Sequence, residues 1–286
     1  MSQYEIRPLQ HNDLRQMHRS FLEAFSEYPV PMQLNYSLFK KRMLGKLNIR
    51  FDLSFGAFSS QKLVGFIFHS LNEYKGTTSI YNGGTGVIPG HRGNRLTRQL
   101  YQAFQEKAAT QAKRCVLEVI TVNEVAIKVY EEIGFRKVGF YNCYKLNKIL
   151  EPSNLNQEEF LIACGSLSRK DLYQQLDSVE TSFSDTFDQL AYNAASETFV
   201  ECRIGGRVVG YIIFQAQSGR ITRMAVDASL RRKGIGTRLV YEAYIQSGKK
   251  NLTAINIPEA AKDIAGFLLN VGFENQVDQW EMELTL

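Results

Sequence analysis

Apolar and polar positions along the chain alternate in a plan that is laid down twice. After Asn12-Asp13, the residues Leu14, Met17, His18, Phe21, Leu22 and Phe25 fall on one helical face. Residues 53–58 then read as a strand, followed by a polar turn and a second strand, Gln61-Lys62-Leu63-Val64-Gly65-Phe66-Ile67-Phe68. The later run Gly206-Arg207-Val208-Val209-Gly210-Tyr211-Ile212-Ile213 matches it, with glycine at the same place, and residues 198–204 supply its hairpin partner. Each half continues with a strand (residues 79–87; residues 221–226), a glycine-bearing turn, a helix, a strand (115–119; 252–256) and another helix. That helix stops at Gly134-Phe135 or Gly272-Phe273, and final strands follow at 141–146 and 279–284. Ser168 is placed to cap a short helix early in the second half. A period this long indicates a duplicated domain rather than a solenoid. Proline and polar residues over 148–154 suit a linker, dividing the chain into domains at 1–150 and 155–286.

The turn between strand and helix carries the most specific chemistry. In the second half it reads Arg231-Arg232-Lys233-Gly234-Ile235-Gly236, leading into a helix with Leu239, Val240, Ala243 and Tyr244 on one face. In the first half it reads Arg92-Gly93-Asn94-Arg95-Leu96-Thr97, after Gly86-Val87-Ile88-Pro89. A helix that starts straight out of such a turn presents backbone N–H groups and the positive end of its dipole to an anion. Any α/β protein uses glycines in this way, so the hexapeptide gains weight only from its double context.

Composition narrows the class. The 286 residues are 44% hydrophobic and 22% charged, a globular rather than disordered balance. No apolar run is long enough to span a bilayer, so a cytoplasmic location and no membrane partner are the expectation. Cys115, Cys143, Cys164 and Cys202 form no CxxC, and His11, His18, His69 and His91 are dispersed, which gives neither a disulfide framework nor metal spacing. The net charge of +5 suits an anionic ligand without the dense Lys/Arg block that nucleic acid calls for. There is no GxxxxGK[ST], and Gly83-Gly84-Thr85-Gly86 precedes the turn rather than forming a GxGxxG, so a nucleotide-binding reading is weak.

The two turns with their preceding strands resemble the acyl-CoA turn of the GNAT superfamily of N-acetyltransferases, whose pattern is Arg or Gln, two residues, Gly, one residue, then Gly or Ala. Arg231, Gly234 and Gly236 match it fully; the first half keeps Arg92 but carries Arg95 and Thr97 in the small-residue positions. The series Leu117-Glu118-Val119, Asn123, Ala126, Tyr130 and Gly134-Phe135 also resembles that family. The resemblance spans nearly the whole chain as two tandem GNAT-like domains of α/β (mixed α+β) class. It implies in each a mostly antiparallel mixed sheet, splayed at its centre and flanked by helices. It further implies acetyl-CoA as cosubstrate, no metal, and a primary amine of a small molecule, peptide or protein as acceptor. The donor's amide-bearing arm would then pair with backbone near Val87 and Ile88 or near Val226, and its pyrophosphate would rest on the turns. Those turns are Arg92, Gly93, Asn94, Arg95, Leu96 and Thr97 in one half, and Arg231, Arg232, Lys233, Gly234, Ile235 and Gly236 in the other. The fold is compatible with a monomer or a homodimer.

Carried over by position, Tyr130 is the residue that would protonate the leaving sulfur, and Asn123 is either a pantetheine ligand or a helix cap. A phenol stays protonated at neutral pH, so it can donate. A helix tyrosine packed on the core is the plainer alternative. The general base is open. No Asp or Glu occurs in residues 79–87, and Glu118 alternates with Leu117 and Val119 on its strand. In the second half Leu268 stands where Tyr130 stands in the first, and leucine cannot donate a proton. The expectation is therefore that the first domain transfers and the second supports, with a non-catalytic acyl-CoA-binding protein as the competing reading. Tyr28-Pro29-Val30-Pro31-Met32 is either an acceptor-site border or a packed turn.

Overall fold

The structure, a computed structural model, describes residues 3–28, 34–147 and 160–286. Residues 29–32 of the two-proline loop and the linker at 148–154 lie outside the described residues. In chain order the elements are β1 (Glu5–Pro8), α1 (Leu14–Ala24), α2 (Tyr36–Lys40), β2 (Phe55–Ser59), β3 (Lys62–Tyr74), β4 (Thr77–Val87), α3 (Leu96–Ala108), β5 (Arg114–Ile120), α4 (Glu124–Ile133) and β6 (Arg136–Leu146). The second half supplies β7 (Leu161–Cys164), α5 (Lys170–Gln174), α6 (Phe187–Ala191), β8 (Thr198–Ile204), β9 (Arg207–Gln215) and β10 (Arg220–Val226). It continues with α7 (Ile235–Ser247), β11 (Leu252–Pro258), α8 (Lys262–Val271), β12 (Glu274–Asn275) and β13 (Gln279–Thr285).

Two compact units result, and they do not follow the linear halves. The first comprises residues 1–119, 123–138 and 281–286; the second comprises 120–122 and 139–280. The strand that closes each half thus belongs mostly to the other unit. In the first unit the strand order is β1-β2-β3-β4-β5, with the C-terminal residues beside β5. In the second the order is β7-β8-β9-β10-β11, with residues 141–146 of β6 antiparallel to β11. Every pairing in the two strand sets β1–β4 and β7–β10 is antiparallel, whereas β4 with β5 and β10 with β11 are parallel.

Local chemistry explains these elements. The β2–β3 and β8–β9 hairpins close through two-residue turns with both residues at positive φ, Ser60-Gln61 and Gly205-Gly206. Parallel pairing requires a crossover, supplied by α3 and α7. Helix α3 buries Leu96, Leu100, Tyr101, Phe104 and Ala108, and α7 buries Ile235, Leu239, Val240 and Ala243, the spacing that lays one helical face on a sheet. The short strands β1 and β7, which alternation alone does not reveal, are half-exposed edges. Ser168 sits inside a 3₁₀ turn (Leu167–Arg169) rather than capping α5, its hydroxyl 2.6 Å from that of Ser166.

The C-terminal residues are deeply built into the first unit. Met282 and Leu284 are buried, and the Glu281 carboxylate accepts from the Tyr74 hydroxyl and lies 2.9 Å from Lys75 Nζ. Arg114 and Glu283 pair at 2.9 Å, and Leu286 N donates to Lys113 O at 3.0 Å. Removing residues 281–286 is expected to cost the first unit at least about 3–6 kcal/mol, from two buried side chains at ~1.5–3 kcal/mol each. Urea unfolding of the truncated chain checks this; an unchanged midpoint contradicts it.

A second expectation concerns acid. His69 is fully buried, stacked on Phe104 at 4.0 Å, with Nδ1 2.8 Å from Leu53 O. Desolvation pushes its pKa down to about 3, against partial support from the Leu53 carbonyl. The folded state therefore binds fewer protons than the unfolded chain between that value and ~6.5, so stability falls as pH drops through this window. Thermal midpoints across pH 3–7 are expected to slope less in His69→Phe than in the parent; equal slopes contradict the assignment.

Candidate active site

The site begins where two parallel strands part. Strand β4 pairs with β5 only at Ser79↔Arg114, Ile80↔Cys115 and Tyr81↔Val116, while its pairing with β3 continues to Gly65↔Val87. At the point of departure β4 bulges: His69 faces Asn82 and Phe68 faces Gly84, leaving Gly83 over. A bulge bends its strand and sharpens its twist, which carries residues 82–87 away from β5. The second unit repeats the device. β10 meets β11 at Arg220↔Thr253 and Ile221↔Ala254, and Thr222 is the bulged residue, one repeat on from Gly83.

Beyond the split each strand enters its turn with the same backbone. Gly93 (φ +80°) and Arg95 (φ +54°) adopt the left-handed conformation in the first unit, and Arg232 (φ +64°) and Gly234 (φ +84°) adopt it at the matching positions of the second. The glycine has changed places while the conformation has not. Arg95 therefore holds a conformation that costs a non-glycine residue about 1–2 kcal/mol. No side chain caps the first N–H groups of α3 or α7, an arrangement that suits an anion. The leading arginines brace the turns. Arg92 donates from Nε to Val87 O at 3.3 Å and pairs with Glu27 at 2.8 Å; Arg231 donates from Nε to Val226 O at 3.4 Å and pairs with Asp263 at 2.9 Å.

A group of polar side chains gathers at the split of the first unit. Asn82 Nδ2 donates to Thr85 Oγ1 at 2.8 Å and to the Tyr101 hydroxyl, while its Oδ1 accepts from Gly84 N at 2.9 Å. Tyr130, on α4, is buried with its ring edge-on to Tyr101 at 6.3 Å. Desolvation pushes its phenol up to about 12, and hydrogen bonding to Thr85 opposes the rise. Asn123 caps α4, accepting from Ala126 N at 3.2 Å. Tyr28, whose phenol is raised by burial, hydrogen-bonds Asn123. The Glu118 carboxylate accepts from the Tyr81 hydroxyl.

The acetyltransferase (GNAT) family model matches residues 12–135 and again 163–265. The chain belongs to that family. Solved structures agree in fold with this GNAT chain along its whole length. A GCN5-related N-acetyltransferase from Sphaerobacter thermophilus is 14% identical, covering 100% of this chain and 96% of its own, with a TM-score of 0.73. A tandem GNAT protein from the clavulanic acid biosynthesis pathway is 13% identical, covering 99% and 98%, at 0.71. A putative acetyltransferase from Pyrococcus horikoshii is 14% identical, covering 100% and 90%, at 0.69. No curated protein matches the chain.

Both GNAT units have the mixed sheet flanked by helices that the resemblance implied. Among the residues singled out in the sequence, Val87, Arg92, Gly93, Asn94 and Arg95 line the first turn, with Val226, Arg231, Arg232, Lys233 and Gly234 in the second. Ile88, Leu96 and Ile235 are buried, so only their backbone is available to a ligand there. Thr97 and Gly236 are second residues of α3 and α7, in ordinary helical backbone, so a Cβ at 97 causes no conformational strain. Asn82, Thr85 and Tyr101 were given no role by the sequence. A polar residue opening a glycine-rich stretch of strand is a bulge signal that marks the first two.

The second GNAT unit fills its split with its own side chains. Arg223, one repeat from Gly84, is buried there; it pairs with Asp177, donates to Thr181 Oγ1 at 2.7 Å and to Asp185 O at 2.6 Å, and lies 4.0 Å over the Phe187 ring. Arg220 and Asp185 form a second buried pair at 2.7 Å. What remains is a cavity of about 40 Å³ bordered by Arg223, Met224, Ala254, Asn256 and Leu268.

The matched turns predict opposite responses to exchange. Gly234→Ala places a Cβ at φ +84° and is expected to cost about 1–2 kcal/mol. Arg95→Gly relieves the same strain and is expected to be neutral to stabilising by up to ~1 kcal/mol, the gain being partly offset by the greater freedom of glycine in the unfolded chain. Urea midpoints of both variants measure this; a substantial loss in Arg95→Gly contradicts it.

Proposed function

We propose that this GNAT protein is an acetyl-CoA-dependent N-acetyltransferase that passes an acyl group to a primary amine by direct attack on the thioester, and that its first unit does so. The observation that carries the reading is Tyr130, a buried and firmly neutral phenol beside the split between β4 and β5. The surrounding residues fit the donor. The edge of β4 freed from β5, including Val87, has backbone for the amide-bearing arm, and the uncapped start of α3 with Gly93, Asn94 and Arg95 suits a pyrophosphate. The same turn with Arg231, Arg232, Lys233 and Gly234 suits a phosphate in the second unit, but Arg223 and its partners occupy the split beneath it.

The donor supplies an activated acyl group on sulfur; the remaining work falls to this chain. The turn and strand edge hold and orient the donor. Tyr130 gives its Oη proton to the departing thiolate, a general-acid role worth 10²–10⁴-fold in rate. Asn123, tied to Tyr28, caps α4, the helix that carries Tyr130. Glu118 has one carboxylate oxygen engaged by Tyr81 and is not assigned as base. The acceptor is a small-molecule, peptide or protein amine, and the setting we favour is cytoplasmic. No helix among the described residues is long and apolar enough to cross a membrane.

The competing reading, an acyl-CoA-binding protein without turnover, draws on Leu268 and Arg223 and applies with force to the second unit alone. Tyr130→Phe separates the two. Turnover on an amine panel is expected to fall 10²–10⁴-fold. Acetyl-CoA at a hundredfold excess over its Kd should still stabilise the variant by about 2.7 kcal/mol, as it does the parent. Unchanged turnover with chemistry rate-limiting returns Tyr130 to core packing. Stabilisation by acetyl-CoA with no transfer by the parent to any amine favours the binding protein.

A further inference from the structure

We infer that Asn82, Thr85 and Tyr101 are positioning residues that fix the Tyr130 hydroxyl so that its proton points into the split between β4 and β5. The inference rests on the reading of Tyr130 as the acid and adds three residues to it.

The donor directions lead there. Asn82 is held in place by Gly84 N on its Oδ1, which turns its Nδ2 hydrogens toward Thr85 Oγ1, at 2.8 Å, and toward the Tyr101 hydroxyl. An amide donor supplies hydrogens only, so both hydroxyls must accept from it and hand their own hydrogens onward. Tyr101, fully buried against the Tyr130 ring, hydrogen-bonds Thr85, which sits half-buried at the same bend of β4 and hydrogen-bonds Tyr130 in turn. With Asn82 and Tyr101 both donating to Thr85 Oγ1, the Thr85 hydrogen is left for Tyr130. With the Thr85 hydroxyl directed at a Tyr130 lone pair, the Tyr130 O–H becomes the outgoing end of the chain. The phenolate left when Tyr130 protonates the thiolate takes up the proton that the amine nitrogen loses on forming the amide, so the chain finishes each turnover as it began.

The internal repeat supplies the control. One repeat on from Asn82, Thr85 and Tyr101 stand Ile221, Met224 and Val240, and Leu268 occupies the place of Tyr130. All four are buried members of a single apolar cluster. The fold therefore builds the same strand, bulge and helices with no polar group at any of these positions. Buried polar groups raise the cost of folding unless fully partnered, and they are worth most as a set. That all four are polar in one unit and all four apolar in the other ties them to one task, which is not folding.

The test is a set of variants in the full chain, assayed for acetyl transfer with melting monitored. Thr85→Val is expected to lower kcat about tenfold, a loss of about 1.4 kcal/mol, with the KM for acetyl-CoA within about twofold, and Thr85→Ser to restore it. Tyr101→Phe, which keeps the ring, is expected to behave like Thr85→Val and serves if that variant melts below the assay temperature. Thr85→Val combined with Tyr130→Phe should be no slower than Tyr130→Phe alone, since a positioning residue has nothing left to position. If the losses multiply, or Thr85→Val and Tyr101→Phe keep full kcat while Tyr130→Phe loses it, the positioning role is wrong and the acid stands. If Tyr130→Phe is itself fully active, the acid reading fails first.

Discussion

Everything at this site follows from one conflict between a strand and its neighbour. β4 must stay in register with β3 as far as Val87, yet it keeps company with β5 for only three residues. The extra residue at Gly83 resolves the conflict by bending the strand. Because β4 and β5 are parallel, they need a crossover helix, and because β4 has bent, that helix starts from a turn standing over the gap. Gap, uncapped turn and crossover are thus consequences of one topological choice. A flat, fully paired sheet would provide none of them.

The duplicated chain shows which parts of this arrangement the backbone demands. Bulge position, left-handed turn residues and the bracing arginine all recur, although Gly83 is replaced by Thr222 and the glycines of the turn have moved. What does not recur is the filling of the gap. One unit carries an amide, hydroxyls and glycines there, and the other carries two buried ion pairs and aliphatic side chains. Breaking such a pair leaves an uncompensated buried charge, so these side chains are held in the second gap. The turn geometry is kept and the chemistry of the gap is changed within a single polypeptide.

Much of this was legible in the sequence because hydrophobic period and glycine punctuation report local structure well. The repeat of Gly65 at Gly210, the two turns, and the stops at Gly134 and Gly272 each mark elements found in the structure. Tyr130 stood out through its distance from Gly134. Its partners did not, since the pattern that buries Tyr101 on α3 would bury a valine equally well, and nothing in Asn82 says which hydroxyls lie across the bend. Arg223 is the converse: a charge inside an apolar strand reads as solvated until its partners, Asp177 and the Asp185 carbonyl, are seen to arrive from a distant loop. The placing of residues 281–286 in the first unit is non-local in the same sense, because every strand's periodicity is equally content with either neighbour.

That placing has a bearing on how the protein is made. The outer edge of β5, the strand bordering the first gap, waits for a partner synthesised after the entire second unit. At ribosomal speeds the wait is on the order of ten seconds. During it the nascent chain presents an open β edge of the kind that recruits unrelated strands. Translation that stops anywhere in the second half leaves the first unit without its closing strand. Completion of the first unit is therefore tied to translation reaching the last strand, and folding speed in the second unit sets how long the first remains vulnerable.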